Sequence, residues 1–264
     1  MILTVIPCHV EDCLRAEKLL DQIIALNRKK QSGHGLLVFA PSVPQENRDK
    51  LRITAEVAFK SVGIFSPTLP KEIPDKQTAI ANMIALTAQH IAKSFKSAWL
   101  WLEPDCLPLK PEWFTLIEHN YERQPLRYMG GHLKYGDAVG MSRISVYPND
   151  AIRDFEASAS TNIPFDFYAV NMSMKSRLFQ TLTVTSEADS ALLREDAVLA
   201  HSDKSGVLID KITQQSLALS ELQSGDPVAI KAAKVAKQST KTAATKTILP
   251  TVDNTSTTPP SAQL

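Results

Sequence analysis

The sequence predicts an α/β fold on a mostly parallel sheet, followed by a disordered C-terminal tail. Three observations predict it. Short apolar, β-branched runs alternate with helical patterns through the first hundred residues. The connections between them are short, as βαβ units require. From about Glu221 the periodicity disappears.

Taken in order, ILTVIP (2–7) reads as a buried strand stopped by Pro7. Asp12 to Lys30 carries Leu14, Leu19, Leu20, Ile23, Ile24 and Leu26 at helical spacing. Ser32-Gly33-His34-Gly35 breaks that helix, and LLVFA (36–40) is a second strand. A helix over 44–60, a strand over 62–66, a Pro- and charge-rich loop over 68–76 and a helix from Thr78 to Phe95 follow. SAWLWLEPDC (97–106) is a strand that ends in acid-Pro-acid. A short helix is expected over 111–120. Two strands are expected within 128–148, helical pieces over 149–157 and 166–180, and a last short strand over 197–201. No internal repeat is visible.

The chain has 264 residues, 44% hydrophobic and 22% charged, the balance of a soluble globular protein. That length suits one large domain with a tail, divided here as 1–222 and 223–264. A net charge of +1 argues against a protein that is basic throughout, though not against a local basic patch. No apolar run is long enough to span a membrane. The first residues lack a basic segment and reach His9 and Glu11 too early for a signal peptide. Cys8, Cys13 and Cys106 are an odd number without metal-site spacing, which fits a reducing cytosol. A cytoplasmic location is therefore expected.

The segment Glu103-Pro104-Asp105 concentrates the chemistry. An apolar strand delivers two carboxylates to its C-terminal end, the edge of an open α/β sheet where ligands bind. Two acids so close repel each other unless a cation lies between them, and Mg²⁺ or Mn²⁺ prefers such oxygen ligands. The same spacing also fits a solvated acidic turn. His201 ends the run Ala197-Val198-Leu199-Ala200; a neutral imidazole suits Mn²⁺, while a lone His is often merely packed. Lys204 would set a cation beside a diphosphate. Asp166 begins a helical pattern and fits a helix N-cap. Trp99 and Trp101 alternate on a strand, as core residues do. The paired Gly130-Gly131 fits a hairpin turn or a close backbone approach.

This layout resembles a glycosyltransferase of the GT-A type. Pro7, Glu103-x-Asp105, Gly130-Gly131, Asp166 and His201 follow one another in that family's order. The resemblance covers roughly residues 1–215 and implies a GT-A-like, Rossmann-related α/β/α sandwich. It implies a nucleotide-sugar donor, with UDP as the nucleotide, and Mn²⁺ or Mg²⁺ as cofactor. Asp105, His201 and Glu103 would be the metal residues. Asp166 would be the catalytic base, with Glu195 or Asp196 as rivals. Pro7, His9, Lys76, Asn82, Glu103 and Lys204 would bind the donor. Tyr128, His132, Tyr135, Arg143 and Tyr147 would line an acceptor groove. Two departures stand out. Glu103 replaces the usual Asp, and Ala40 and Ser42 lie where many relatives place an Asp for the nucleotide.

The chain also looks like small phage-encoded glycosyltransferases, some of which modify DNA. That likeness puts the protein in a host cytoplasm and makes a hydroxymethylated DNA base the expected acceptor. Lys231, Lys234, Lys237, Lys241 and Lys246, with no acid between them, would track phosphates; a solubilising end is the plainer reading of that tail. The alternatives are an enzyme directed at glycan or lipopolysaccharide, a nucleotidyltransferase, and a non-catalytic nucleic-acid-binding module. A nucleotidyltransferase would want a Gly-rich basic loop after the first strand, which Pro7-Cys8-His9-Val10-Glu11 lacks.

Overall fold

The computed structural model describes residues 1–27, 33–70, 75–181 and 194–201. Its first half is a run of βα units: β1 (Ile2–Cys8), α1 (Cys13–Asn27), β2 (His34–Phe39), α2 (Gln45–Ala58), β3 (Ser61–Phe65), α3 (Lys76–Ser94) and β4 (Ala98–Trp101). After a turn come β5 (Cys106–Pro108), α4 (Trp113–Arg123) and a long hairpin of β6 (Tyr128–Tyr135) and β7 (Ala138–Tyr147). The described part closes with α5 (Ile152–Thr161), α6 (Phe165–Ala169), β8 (Ser173–Lys175), β9 (Phe179–Thr181) and β10 (Leu199–His201).

Seven strands form one sheet in the order β3-β2-β1-β4-β7-β6-β8. β7 is antiparallel to both β4 and β6, whereas every other pairing is parallel, so six strands share one direction. A second sheet, β5-β10-β9, lies past the end of β4. The mixed α/β class and mostly parallel sheet are as the sequence predicts.

Burial follows the sequence pattern. α1 turns Ala16, Leu19, Leu20 and Ile23 inward at i, i+3, i+4 and i+7 and packs on α2. α3 starts at Lys76 because Asp75 caps it, accepting from the Thr78 N–H at 2.9 Å and the Thr78 hydroxyl at 2.8 Å. Trp99, Trp101 and Tyr147 are buried, and Trp99 stacks on Tyr147 at 4.3 Å. The two tryptophans are core, as their alternation suggests.

Four expectations are corrected. Pro7 does not stop β1, which runs on to Cys8. Val5 O accepts from Leu102 N, so odd residues of β1 turn their polar groups toward β4, and pairing with β4 ends at Val5. The donor that Pro7 lacks falls where no strand needs it. The helix expected over 166–180 is only α6, a 3₁₀ turn over Val170–Met172, and then β8 and β9. Pairing of β8 with Tyr128, Met129 and Gly130 outweighs the local helical pattern. Asp166 is not an N-cap: that position is Pro164, and Asp166 lies in the first turn. Gly130-Gly131 is not a turn either. Both sit within β6, and the hairpin turns at Gly136, with φ of +61°.

Candidate metal and donor site

The site is assembled at the C-terminal ends of β1 and β4. After β4, Leu102 N still donates to Val5 O at 2.8 Å, and then Cys106 N donates to Glu103 O at 2.9 Å. The second bond closes a four-residue turn with Glu103 first, Pro104 second and Asp105 third, the position at which proline's fixed φ favours such turns. One turn thereby holds both carboxylates. β5 follows it directly, and the buried Gln22 of α1 ties β5 down by donating to Pro108 O at 3.3 Å.

His201 arrives from the far end of the described chain. β10 pairs antiparallel with β5 so that His201 faces Cys106, the residue after Asp105. Its Nε2 lies 3.4 Å from Glu103 Oε2 and 3.4 Å from Asp105 Oδ1. One ligand atom from each of the three residues lies within 4.8 Å of the others. Burial alone would push the His201 imidazole down, but hydrogen bonds to Asp105 and Glu103 and the charge of both lift it to about 9. Burial works to raise the Asp105 carboxyl, yet the bond and charge of His201 hold it below its ordinary value. Without an ion, a protonated His201 therefore clamps the two carboxylates. Two carboxylates and one imidazole are also the donor set that suits Mn²⁺ or Mg²⁺, and the residues fit such an ion.

The triad lies in a cleft of about 450 Å³. Pro7, His9 and Arg15 form one wall, Ile80 and Met83 of α3 another, and Tyr135, Ser142 and Arg143 of the hairpin a third. The Nε2 of His9 is buried and has no protein partner, leaving a polar atom for a ligand or water to satisfy. Arg15 donates to Asp12 Oδ1 at 3.2 Å, and its charge also reaches Asp105. Sequence reasoning missed Arg15. Its signal was weak, a single cation one turn into the helix that follows the first strand.

Of the expected site residues, the cleft brings together Pro7, His9, Glu103, Asp105 and His201. Asn82 lies elsewhere, in a hollow with Thr68, Leu69, Pro70, Ala85, Leu86, Gln89 and Ile152. At 100° per residue, a helix that turns Ile80 and Met83 to the cleft turns Asn82 away. Lys76 opens α3, but its side chain lies outside the described part, as do Lys204 and every residue after His201. Asp166 is not a lining residue of the cleft. It sits beside β7 on the face that carries Leu133 and Tyr135, where a Cβ on Gly140 would lie 3.5 Å from its own, and Phe167 packs edge-on against Tyr135. Burial raises the Asp166 carboxyl; the Arg143 charge lowers it and the Glu103 charge raises it further. Of its rivals, Asp196 is paired with Arg177 at 2.7 Å and Arg194 at 3.6 Å, and exposed Glu195 is no cleft residue. Within the expected acceptor groove only Tyr135 and Arg143 reach the cleft. Tyr128 and Tyr147 are core, and His132 meets Ser173 Oγ at 2.8 Å.

This fold is that of the GT-A glycosyltransferases. The galactosyltransferase LgtC, as an active-site mutant, superposes with a TM-score of 0.53 at 10% identity, over 81% of this chain and 94% of that one. Mouse xyloside xylosyltransferase 1 gives 0.50 at 10% identity over 77% and 98%. Glycosyltransferase GlyE of Streptococcus pneumoniae TIGR4 gives 0.51 at 11% identity over 82% and 60%. No protein-family model matches the chain, and no curated protein matches its sequence.

Proposed function

We propose that the chain is a metal-dependent glycosyltransferase that moves a sugar from a nucleotide-sugar donor, with UDP as the nucleotide, to a hydroxyl acceptor. The observation that carries this reading is the Glu103-Asp105-His201 triad at the strand-end cleft of a GT-A fold. Glu103, Asp105 and His201 would hold Mn²⁺ or Mg²⁺. Such an ion, when bound, offsets the charge that develops on a departing diphosphate. LgtC has been crystallised with donor and acceptor sugar analogues, which supports a donor in the corresponding cleft here.

Within that reading, Pro7 and His9 form the nucleotide wall, and the unpartnered His9 Nε2 offers one hydrogen bond to base or ribose. Tyr135 and Arg143 border the sugar and acceptor end. Asp166 is the candidate base. Burial raises its proton affinity, which favours proton abstraction from a hydroxyl near neutral pH. It would act beside Tyr135, at the hairpin end of the cleft. Lys204 would meet the leaving diphosphate.

The proposed acceptor is a hydroxymethylated base in DNA, and its support is the run of tail lysines from Lys231 to Lys246, all outside the described residues. The experiment is nucleotide release from UDP-, GDP- and CMP-sugars by the full chain, with Mn²⁺ or with EDTA. It is repeated with hydroxymethylated DNA, unmodified DNA and a free glycan. Mn²⁺-dependent release that Asp105→Ala abolishes supports the donor reading; release equal in EDTA overturns the metal. Transfer to hydroxymethylated DNA alone supports the acceptor, and salt-independent transfer to the glycan alone overturns it.

A further inference from the structure

The β6–β7 hairpin is irregular at one place, and that place faces the site. Gly130 pairs with Ser145 and His132 with Met141, so β7 takes four steps where β6 takes two. Ser142, Arg143 and Ile144 thus stand opposite the single residue Gly131, two more than a regular ladder holds. In a regular strand adjacent side chains point to opposite faces, yet Ser142 and Arg143 both line the cleft. The irregularity is held from within. Tyr147 OH donates to Arg143 O at 2.7 Å, and Ser145 Oγ donates to Ser142 O at 2.6 Å. Gly130 leaves the room for it, since a Cβ there would lie 1.8 Å from Ser145 Oγ.

The bulge aims Arg143 at Glu103. Arg143 Nη1 lies 3.8 Å from Glu103 Oε1, while the other oxygen, Oε2, faces His201. Glu103 is thus held between a guanidinium and an imidazole, one oxygen to each. Asp105 is tied down by its own turn, but Glu103 has one more rotatable bond and opens the turn. The Arg143 charge also reaches Asp166.

We infer that Arg143 is a positioning residue, swung into the cleft by the β7 bulge to fix Glu103 so that Oε2 is presented to the ion site. This rests on the metal half of the glycosyltransferase reading and not on any particular donor or acceptor. Charge alone would act in the opposite sense. A nearby cation repels a divalent ion, so removing it would strengthen metal binding unless it holds a ligand in place. Partners that orient a ligating carboxylate are worth about 10–100-fold in metal affinity.

The test is Mn²⁺ affinity without donor, read from the free-Mn²⁺ electron paramagnetic resonance signal, for the full-length chain and four variants: Arg143→Met, Glu103→Gln, the two combined, and Tyr147→Phe. Arg143→Met should weaken Mn²⁺ binding about 10-fold, and the loss should vanish in a Glu103→Gln background, where there is no carboxylate to orient. Tyr147→Phe keeps the stack on Trp99 but releases the Arg143 carbonyl, and should give a smaller loss in the same direction. Unchanged or tighter binding by Arg143→Met overturns the inference. A wild-type chain that binds no Mn²⁺ overturns the metal reading itself, and so separates the two failures.

Discussion

At the residue scale, the site depends on His201 changing partners. Metal-free, it is an imidazolium between two carboxylates; to ligate it must lose that proton. Its folded value, about 9, stands above the ordinary 6.5. Its contribution to stability is therefore complete below pH about 6.5 and is lost as pH rises through about 9. Metal-free protein should melt at progressively lower temperature across that window, by more than His201→Gln does. The rise in Tm on adding Mn²⁺ should grow across the same window, and differential scanning fluorimetry reads both. Parallel curves for wild type and His201→Gln would make His201 a bystander. Asp105→Ala should abolish Mn²⁺ binding and transfer while far-UV circular dichroism stays native, because the turn is closed by backbone bonds and Pro104. His201→Ala should weaken Mn²⁺ binding by at least about 10–100-fold. Asp166→Asn should lower kcat with little change in donor KM, since the residue does not line the donor cleft; unchanged kcat would remove it as the base.

At the element scale, the hairpin and the Glu-Pro-Asp turn were unequally legible. The turn could be read because proline between two acids after an apolar strand admits few backbone paths. The bulge could not, since nothing local in GMSRISVY marks where a strand gains residues relative to its partner strand. Gly130-Gly131 offered a hairpin turn or a close approach, and at Gly130 the close approach is what the structure shows. Gly130→Ala should destabilise the fold by about 1–3 kcal/mol, because Ser145 Cβ at 2.6 Å and Ile144 O at 3.0 Å would both have to move. A urea midpoint equal to wild type would show that the hairpin relaxes freely. α6 and β8 were misread for a related reason. The run from Phe165 to Phe179 has helical spacing, but hydrogen bonds to β6 favour the extended form from Ser173 onward.

For the whole molecule, the proposed boundary at 222/223 yields a prediction of its own. Truncation at Gln223 should leave nucleotide-sugar turnover unchanged. It should also weaken DNA binding and flatten its salt dependence, the signature of lost phosphate contacts, as measured by fluorescence anisotropy at several salt concentrations. DNA binding untouched by truncation would leave the lysines as a solubilising end. No helix among the described residues is long and apolar enough to cross a membrane. By itself the sequence determined the class of fold, the order of the βα units, the tryptophan core of β4 and the acidic turn that ends it. Those are fixed by periodicity and turn chemistry acting over a few residues. Only the tertiary structure decided that His201 meets that turn, through the pairing of β10 with β5. It alone set Asp166 beside Gly140 and brought Arg15 and Arg143 to the same cleft. Each of these depends on register and strand pairing between distant segments, and the composition of a segment does not carry its partner's register.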